Sequence, residues 1–480
     1  MMQLPELFKN TFILGFGHVM ARVLGFLLIP IYTNSFTPSE FGDYTLVFVF
    51  IAFGTCVFLH GIDSAILKFY GQSDSEKNKQ TYFVTALLWH ILSSIVLALF
   101  FAILIYYDGF YYVSQNKMVL LSVLGIMFFD TLIADYKILL RLNKQNLFFV
   151  FIEICNVSLI VILNFIYIGW YDMSYEYVFY INFFISLLIF IILFLNNINY
   201  LFLTPDFTYL KSLLLFAIPM LPSAISNLVN ELSDRYMIKY LSNNAAYDVG
   251  IYSANYKLGI FMLVAITGFK FAWQPYFISQ KDNENSSDLF ARVGTYYLII
   301  ASYILIVVSF NIKSIAMFNW GGFQVVGKDF IIGLKIVPIV LAAYLFLGLA
   351  QIQVPGVYFK NKSYVFPLIH GSVALLNLSL NYILIINYGW YGAAFATLVS
   401  YVFLVVIQNM VVSKFFIIKW EFFKILKLFL LACMFFIGFH FFDSVLFNLL
   451  TVLIFPASVI ICKILSLDDL KSLIATLRSF

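Results

Sequence analysis

Glu40-Phe41-Gly42-Asp43-Tyr44 and Asp248-Val249-Gly250-Ile251-Tyr252 share one pattern: acid, apolar residue, Gly, any residue, Tyr. A second echo follows at nearly the same offset. Gly169-Trp170-Tyr171 returns as Gly389-Trp390-Tyr391, each downstream of an Asn-x-Ser-Leu that begins at Asn156 and at Asn377. Either pair alone is compatible with chance, and a Gly before an aromatic is a common turn with an interfacial anchor. Two pairs in the same order indicate a duplicated half. In a membrane chain, internal repeats are how carriers build a cavity with two alternative openings.

Composition places the chain in the membrane. Apolar residues make up 63% of the 480 and charged residues only 11%, too few charges for a globular surface. Fourteen apolar stretches follow one another, each able to cross a hydrocarbon core of about 30 Å as a helix of about 20 residues. Spans one to seven are predicted at about 11–35, 43–67, 81–107, 118–140, 147–169, 176–203 and 212–240. Spans eight to fourteen follow at about 250–279, 293–310, 331–357, 364–387, 391–413, 425–442 and 445–462. Barrel strands would alternate polar and apolar over about ten residues, and these runs are apolar on every face. The expected fold is an all-α polytopic bundle of about 14 transmembrane helices.

Six spans separate each motif from its echo. An even number returns the chain to the same side, so the halves are parallel. This predicts two six-helix lobes around a central cavity, residues 1–205 and 206–415, joined at Thr204-Pro205-Asp206. Residues 416–480 would add two further helices and a cytoplasmic tail. No cleavable signal is evident at the Thr33-Asn34-Ser35 end of span one. Sorting Lys and Arg into alternate loops leaves sixteen on the side of the N-terminus, three on the other (Lys117, Lys313, Lys328) and nine inside spans. That bias predicts cytoplasmic N- and C-termini. The net charge of +4 is then leaflet-anchoring charge and implies no nucleic-acid partner. Cys56, Cys155, Cys433 and Cys462 lack close-spaced partners and read as filler.

Further segments carry a resemblance. Arg22 to Pro30 followed by Phe41-Gly42-Asp43-Tyr44, Ile218-Pro219-Met220-Leu221-Pro222-Ser223, and Ser233-Asp234-Arg235-Tyr236 are three of them. Val249 to Ala254 and Gly392-Ala393-Ala394-Phe395-Ala396-Thr397 are two more. In this order the set resembles the polysaccharide flippases of the multidrug/oligosaccharidyl-lipid/polysaccharide (MOP) transporter superfamily, over nearly all of the first twelve spans. The resemblance implies movement of an undecaprenyl-diphosphate-linked oligosaccharide from the inner to the outer leaflet of a bacterial inner membrane. It implies no cofactor, and as partners a proton or sodium ion and the polymerase and chain-length proteins of surface-polysaccharide assembly.

Ionisable residues at mid-bilayer cost about 2.5–3.5 kcal/mol on insertion scales and call for a reason. Arg22 lies near the middle of span one, with His18 one turn before it. Two readings stand for Arg22: an ion pair with a neighbouring helix, or a planar fork for the two phosphates of a lipid diphosphate. The resemblance favours the second. Lys257 and Lys270 in span eight lie on different faces and are further candidates. Glu231 and Arg235 are spaced to pair along span seven, which leaves Asp234 for cation binding or for pairing with Arg22 or Lys257. Asp63 in span two and Asp130 in span four are the other ion-coupling candidates. Asp135, Lys137 and Arg141 are expected to form a solvated inner rim. Pro30, Pro219 and Pro222 remove backbone hydrogen bonds within spans one and seven.

Catalysis and metal binding find no support. Gly322-Phe323-Gln324-Val325-Val326-Gly327-Lys328-Asp329 mimics a phosphate-binding loop but ends in Asp where Ser or Thr must hold magnesium. The five histidines show no ligand spacing, and no loop is large enough for the site of an O-antigen polymerase or glycosyltransferase. Within transport, a multidrug/cation antiporter would usually carry a carboxylate in span one, where this chain has Arg22. A peptidoglycan-precursor lipid flippase is the nearer alternative.

Overall fold

The computed structural model describes residues 4–465 except 74, 108–115, 203, 361, 363 and 442–443. The expected cytoplasmic tail, with Lys471 and Arg478, lies outside the described residues. Among the described residues, twelve helices are long and apolar enough to cross a membrane by length and composition. One of them, Val365–Val412, carries both span eleven and span twelve, because Gly389 leaves helical geometry at φ 58° and ψ −145°. Span fourteen is the shorter helix Val445–Ile461. Over its described residues, each of the fourteen predicted stretches is thus mainly helical, and the chain is an all-α polytopic membrane protein.

Local chemistry sets several helix starts. Thr37 accepts from the Glu40 amide while the Glu40 carboxylate accepts from the Thr37 amide, a capping box at the head of span two. Asn116 caps span four and Ser444 caps span fourteen by accepting from backbone amides of the first turn, without the reciprocal carboxylate. Asp206, from the Thr-Pro-Asp tract before span seven, accepts from Thr208 Oγ1 and from the Thr208 amide. Those two hydrogen bonds hold its carboxyl below the usual carboxylate range.

Among the described residues, spans one, two, seven and eight are interrupted. Span one breaks between Phe26 and Leu28, two residues before Pro30. Span two breaks at His60 (φ 30°) and Gly61 (φ 79°). Span seven tightens to a 3₁₀ turn at Ile218–Met220, around Pro219, and span eight does so at Lys257–Gly259 without any proline. Spans one and seven, and two and eight, are the pairs that the repeat makes equivalent. The phosphate-loop mimic belongs to a two-residue hairpin: Asn319–Trp320 pairs antiparallel with Phe323–Gln324 across Gly321 and Gly322, both at positive φ. This is the glycine demand of a tight β-turn.

Contacts divide the chain into two compact units, residues 1–254 with 366–393, and residues 255–365 with 394–480. In the first, span four packs along span six, span one along span five, and spans two and three against span four. Its core includes Phe83, Leu139, Ile185 and Leu193. In the second, span nine packs on spans ten, thirteen and fourteen. Phe290 there meets Trp273, Phe359 and Phe416.

The opening motif has a reciprocal geometry inside the first unit. A Cβ on Gly42 would lie 1.9 Å from the Ala246 carbonyl oxygen and 3.1 Å from the Gly250 nitrogen. A Cβ on Gly250 would lie 1.8 Å from the Pro38 carbonyl oxygen and 3.2 Å from the Gly42 nitrogen. Each glycine meets the carbonyl four residues before the other, so spans two and eight cross backbone to backbone at the repeated residue. Only hydrogen fits there, as at other close helix crossings in membranes. The acids have a local role, since Glu40 and Asp248 both stand in first turns, where the helix dipole favours them. Gly42→Ala and Gly250→Ala are each expected to destabilise the protein by about 1–3 kcal/mol. Gly268→Ala, with no heavy atom within 4 Å of the new methyl, should be neutral or gain up to about 1 kcal/mol of helix propensity. Thermal melting of the detergent-purified variants measures all three.

Candidate functional site

A cavity of about 710 Å³ lies in the first unit, between the two corners in spans two and seven. Span two contributes Thr55 and Leu59 above its corner and Gly61 and Asp63 below it. Span seven contributes Met220, Ser223, Asn227 and Glu231, span four Asp130, and span six Asn182. Gly61 is required: a Cβ there would lie 2.6 Å from the Ala217 carbonyl oxygen, just before the turn of span seven. Asp63 sits in the first turn of the lower helix, Ile62–Gln72, where backbone amides meet its carboxylate. Asp130 accepts from the Ser186 hydroxyl at 2.7 Å. The lining therefore brings together two of the carboxylates singled out in the sequence, with Glu231 as a third. Among the described residues, its lining holds no Lys or Arg.

The basic candidates stand elsewhere. In span one, His18 packs edge-on against Phe149 of span five, and Gly17 admits Val150 beside it. Arg22, one turn on, is exposed and makes no hydrogen bond or ion pair to a described residue. Lys257 is half-buried in the 3₁₀ turn of span eight and Lys270 is exposed on the helix below it. Both belong to the second unit.

One cluster departs from the expected inner rim. Asp135 is fully buried and lies 2.6 Å from His90 of span three, itself 0% exposed. The His90 ring stands edge-on to His60, at the corner of span two. Lys137 pairs with Glu153 of span five at 2.8 Å, and only Arg141 of the three is exposed. The histidines have no ligand spacing along the chain because span three and a left-handed helix end bring them together. His90 and Asp135 stand forty-five positions apart on different helices, so local spacing carries no signal of their pairing.

With this geometry the chain can be compared with known proteins. The family model described as polysaccharide biosynthesis protein matches residues 7–281, more than half of the chain. The chain belongs to that family. Its fold is shared with solved MOP-type transporters. A lipid II flippase, MurJ, in an inward closed conformation is similar at a TM-score of 0.74 and 17% identity, over 92% of this chain and 98% of that one. The MATE transporter VcmN of Vibrio cholerae follows at 0.61 and 16%, over 86% and 97%. A MOP superfamily transporter of Pyrococcus furiosus stands at 0.60 and 12%, over 85% and 96%. In sequence, no curated protein matches it. At such identities the solved structures speak to the fold of this family member.

In this polysaccharide biosynthesis protein the charges of span seven are arranged differently from their spacing. Arg235 pairs with Asp234 at 2.5 Å rather than with Glu231, whose backbone carbonyl it also reaches. Tyr252, the tyrosine of the repeated motif, donates its hydroxyl to Asp234, and the Arg235 guanidinium lies 5.3 Å over its ring. Asp234 and Arg235 are both buried, so Arg235 turns inward and leaves the exposed Glu231 carboxylate to the cavity. Removing one partner of such a pair strands a charge in a dry site and costs about 3–5 kcal/mol. Asp234→Ala is therefore expected to melt far below the wild type. Asp234→Leu with Arg235→Met should lose less than either single change, and a double-mutant cycle on thermal stability reads the difference.

Proposed function

We propose that this chain is a flippase that carries an undecaprenyl-diphosphate-linked oligosaccharide from the inner to the outer leaflet of the bacterial cytoplasmic membrane, for surface-polysaccharide assembly. One observation carries the reading: a polysaccharide-biosynthesis family member has the all-helical architecture of lipid flippases and multidrug carriers. Polysaccharide made on a lipid carrier inside the cell needs its polar head moved across hydrocarbon, and an alternating-access bundle with two openings performs that step. The lobes in this reading are residues 1–205 and 206–415, with residues 416–480 as an appendage and both termini cytoplasmic.

The residues divide the substrate between them. Arg22, unpaired among the described residues, takes the diphosphate as a bidentate fork, with His18, Lys257 and Lys270 as supporting cationic or donor groups. The carboxylate, amide and hydroxyl groups of the cavity suit sugar hydroxyls, which both donate and accept. Asp63 and Asp130 on that wall bind the coupling proton or sodium ion, and Asp234 contributes through its pair with Arg235. The polyprenyl tail stays in lipid. Polymerase and chain-length proteins of the same pathway receive the product.

A second reading, cation or drug antiport, is favoured by the same cavity, whose three carboxylates have no basic residue among them. The two separate on what accumulates in a deletion strain. The flippase reading expects lipid-linked oligosaccharide on the cytoplasmic face, and its chemical identity names the substrate. Unchanged lipid-linked sugar with raised sensitivity to cationic drugs would establish the antiporter instead. At normal protein levels, Arg22→Ala and Arg22→Glu should each reduce surface polysaccharide about tenfold or more, the loss of one charge-assisted contact of about 1.5–3 kcal/mol. Full export by both variants would remove Arg22 from the phosphate site.

A further inference from the structure

The two histidines at the corner of span two have opposite hydrogen-bond environments. His60 Nδ1 faces the Val57 carbonyl at 2.9 Å, while its Nε2 accepts from the Trp89 indole N–H at 2.7 Å. One acceptor and one donor satisfy a neutral ring with its proton on Nδ1. A second proton on His60 would point at the indole N–H. His90 is different. Its Nδ1 faces Asp135 Oδ2 at 2.6 Å and its Nε2 faces the Leu59 carbonyl at 3.2 Å. Both neighbours are acceptors, and a neutral imidazole has a single N–H. The arrangement is complete only when the pair holds one proton more than a neutral ring and a carboxylate.

Two further features favour that proton. The Leu59 carbonyl is the last of the helix Pro38–Leu59, where unpaired carbonyls and the helix dipole attract a cation. Asp135 Oδ1 is buried without a hydrogen-bond partner among the described residues, so the carboxylate depends on His90 for compensation. The titratable groups facing the pair are His60 and Asp63, from the corner of span two, and Tyr136, from span four itself. Among the other elements packed nearby, span six gives Ser186 to Asp130 and span five gives Glu153 to Lys137. Span seven carries the exposed Lys211.

We propose that His90 and Asp135 together form a proton-binding site, and that its proton ties span three to the corner of span two. With the proton in place, His90 holds both Asp135 and the Leu59 carbonyl. When it leaves, one ring nitrogen turns a lone pair toward an oxygen, and the link to the corner at His60 and Gly61 is lost. That corner lines the cavity. Both side chains are 0% exposed, so the proton exchanges with solvent only when the corner moves. Proton exchange and cavity geometry are thereby one event, and the site deepens the ion-coupled reading above by adding a proton place behind the corner to the cavity carboxylates Asp63 and Asp130.

Proton uptake by the purified full chain in detergent tests this, because it needs no transported lipid and is independent of which substrate is carried. Between about pH 8 and about pH 5, where histidine sites titrate, His90→Gln and Asp135→Asn should each take up about one proton per chain fewer than the wild type, the pair titrating as a unit. His370→Gln, away from the pair, serves as the reference for loss of a histidine outside the site. Uptake by both variants equal to that of the wild type would overturn the site. Should neither variant fold, imidazole ¹⁵N resonances of the wild type decide. A histidine protonated on both nitrogens at the acid end whose ring protons exchange slowly with solvent, as its 0% exposure requires, is expected, and the absence of any such slowly exchanging doubly protonated ring would overturn it. In proteoliposomes, export driven by a proton gradient should fall at least tenfold in His90→Gln; failure of export in the wild type itself would instead count against the flippase reading.

Discussion

In hydrocarbon no water is present to satisfy a backbone amide or carbonyl, so every such group must find its partner within the protein. This constraint explains the long uninterrupted helices, and it gives the interruptions their meaning. A break exposes orphan groups, and a break is stable only where protein surrounds it. At His60 and Gly61 the freed carbonyls are met by the His60 amide and ring and by His90. At Ile218–Met220 the chain tightens to 3₁₀ bonds. The cavity lies between these two corners, where polar backbone already had to be gathered.

The membrane class and the spans were legible because they depend on composition and length, which local sequence carries directly. The motif Gly-x-Tyr was legible as a repeat, but its purpose was not. Only the folded backbone puts Gly42 and Gly250 against each other's helix, and sequence spacing has no term for a crossing. The charges divide along the same line. Asp63 and Asp130 could be picked out by depth alone, whereas Asp135 looked like a rim residue because Lys137 and Arg141 follow it. Its burial comes from span three, a partner forty-five positions away in sequence.

Glu231 and Arg235 show how spacing misleads on a crowded helix face. The i,i+4 rule describes side chains free to meet over a solvated surface. In span seven the tyrosine of the repeated motif offers Asp234 a hydroxyl and Arg235 a ring, and that buried niche outweighs an exposed pair. The motif tyrosines thus differ between the halves. Tyr44 packs against the rings of Tyr32, Phe41 and Phe48, while Tyr252 anchors an ion pair.

The tripeptide Gly-Trp-Tyr ends with a different contrast. Gly169 lies inside a π-helical extension of span five, with Trp170 75% and Tyr171 61% exposed, placed as lipid-headgroup anchors. Gly389 carries the same neighbours but sits at a left-handed break, and three residues on a Cβ at Gly392 would lie 2.1 Å from the Leu384 carbonyl oxygen. Between spans eleven and twelve there is accordingly no loop in the ordinary sense, only one torsion angle and a closely packed pair of turns. Such a joint offers no slack for an inserted segment and no extended strand for a protease to grip. Its twin, ending in exposed aromatics and the positive-φ Asp172, keeps a short irregular stretch before span six and can absorb both.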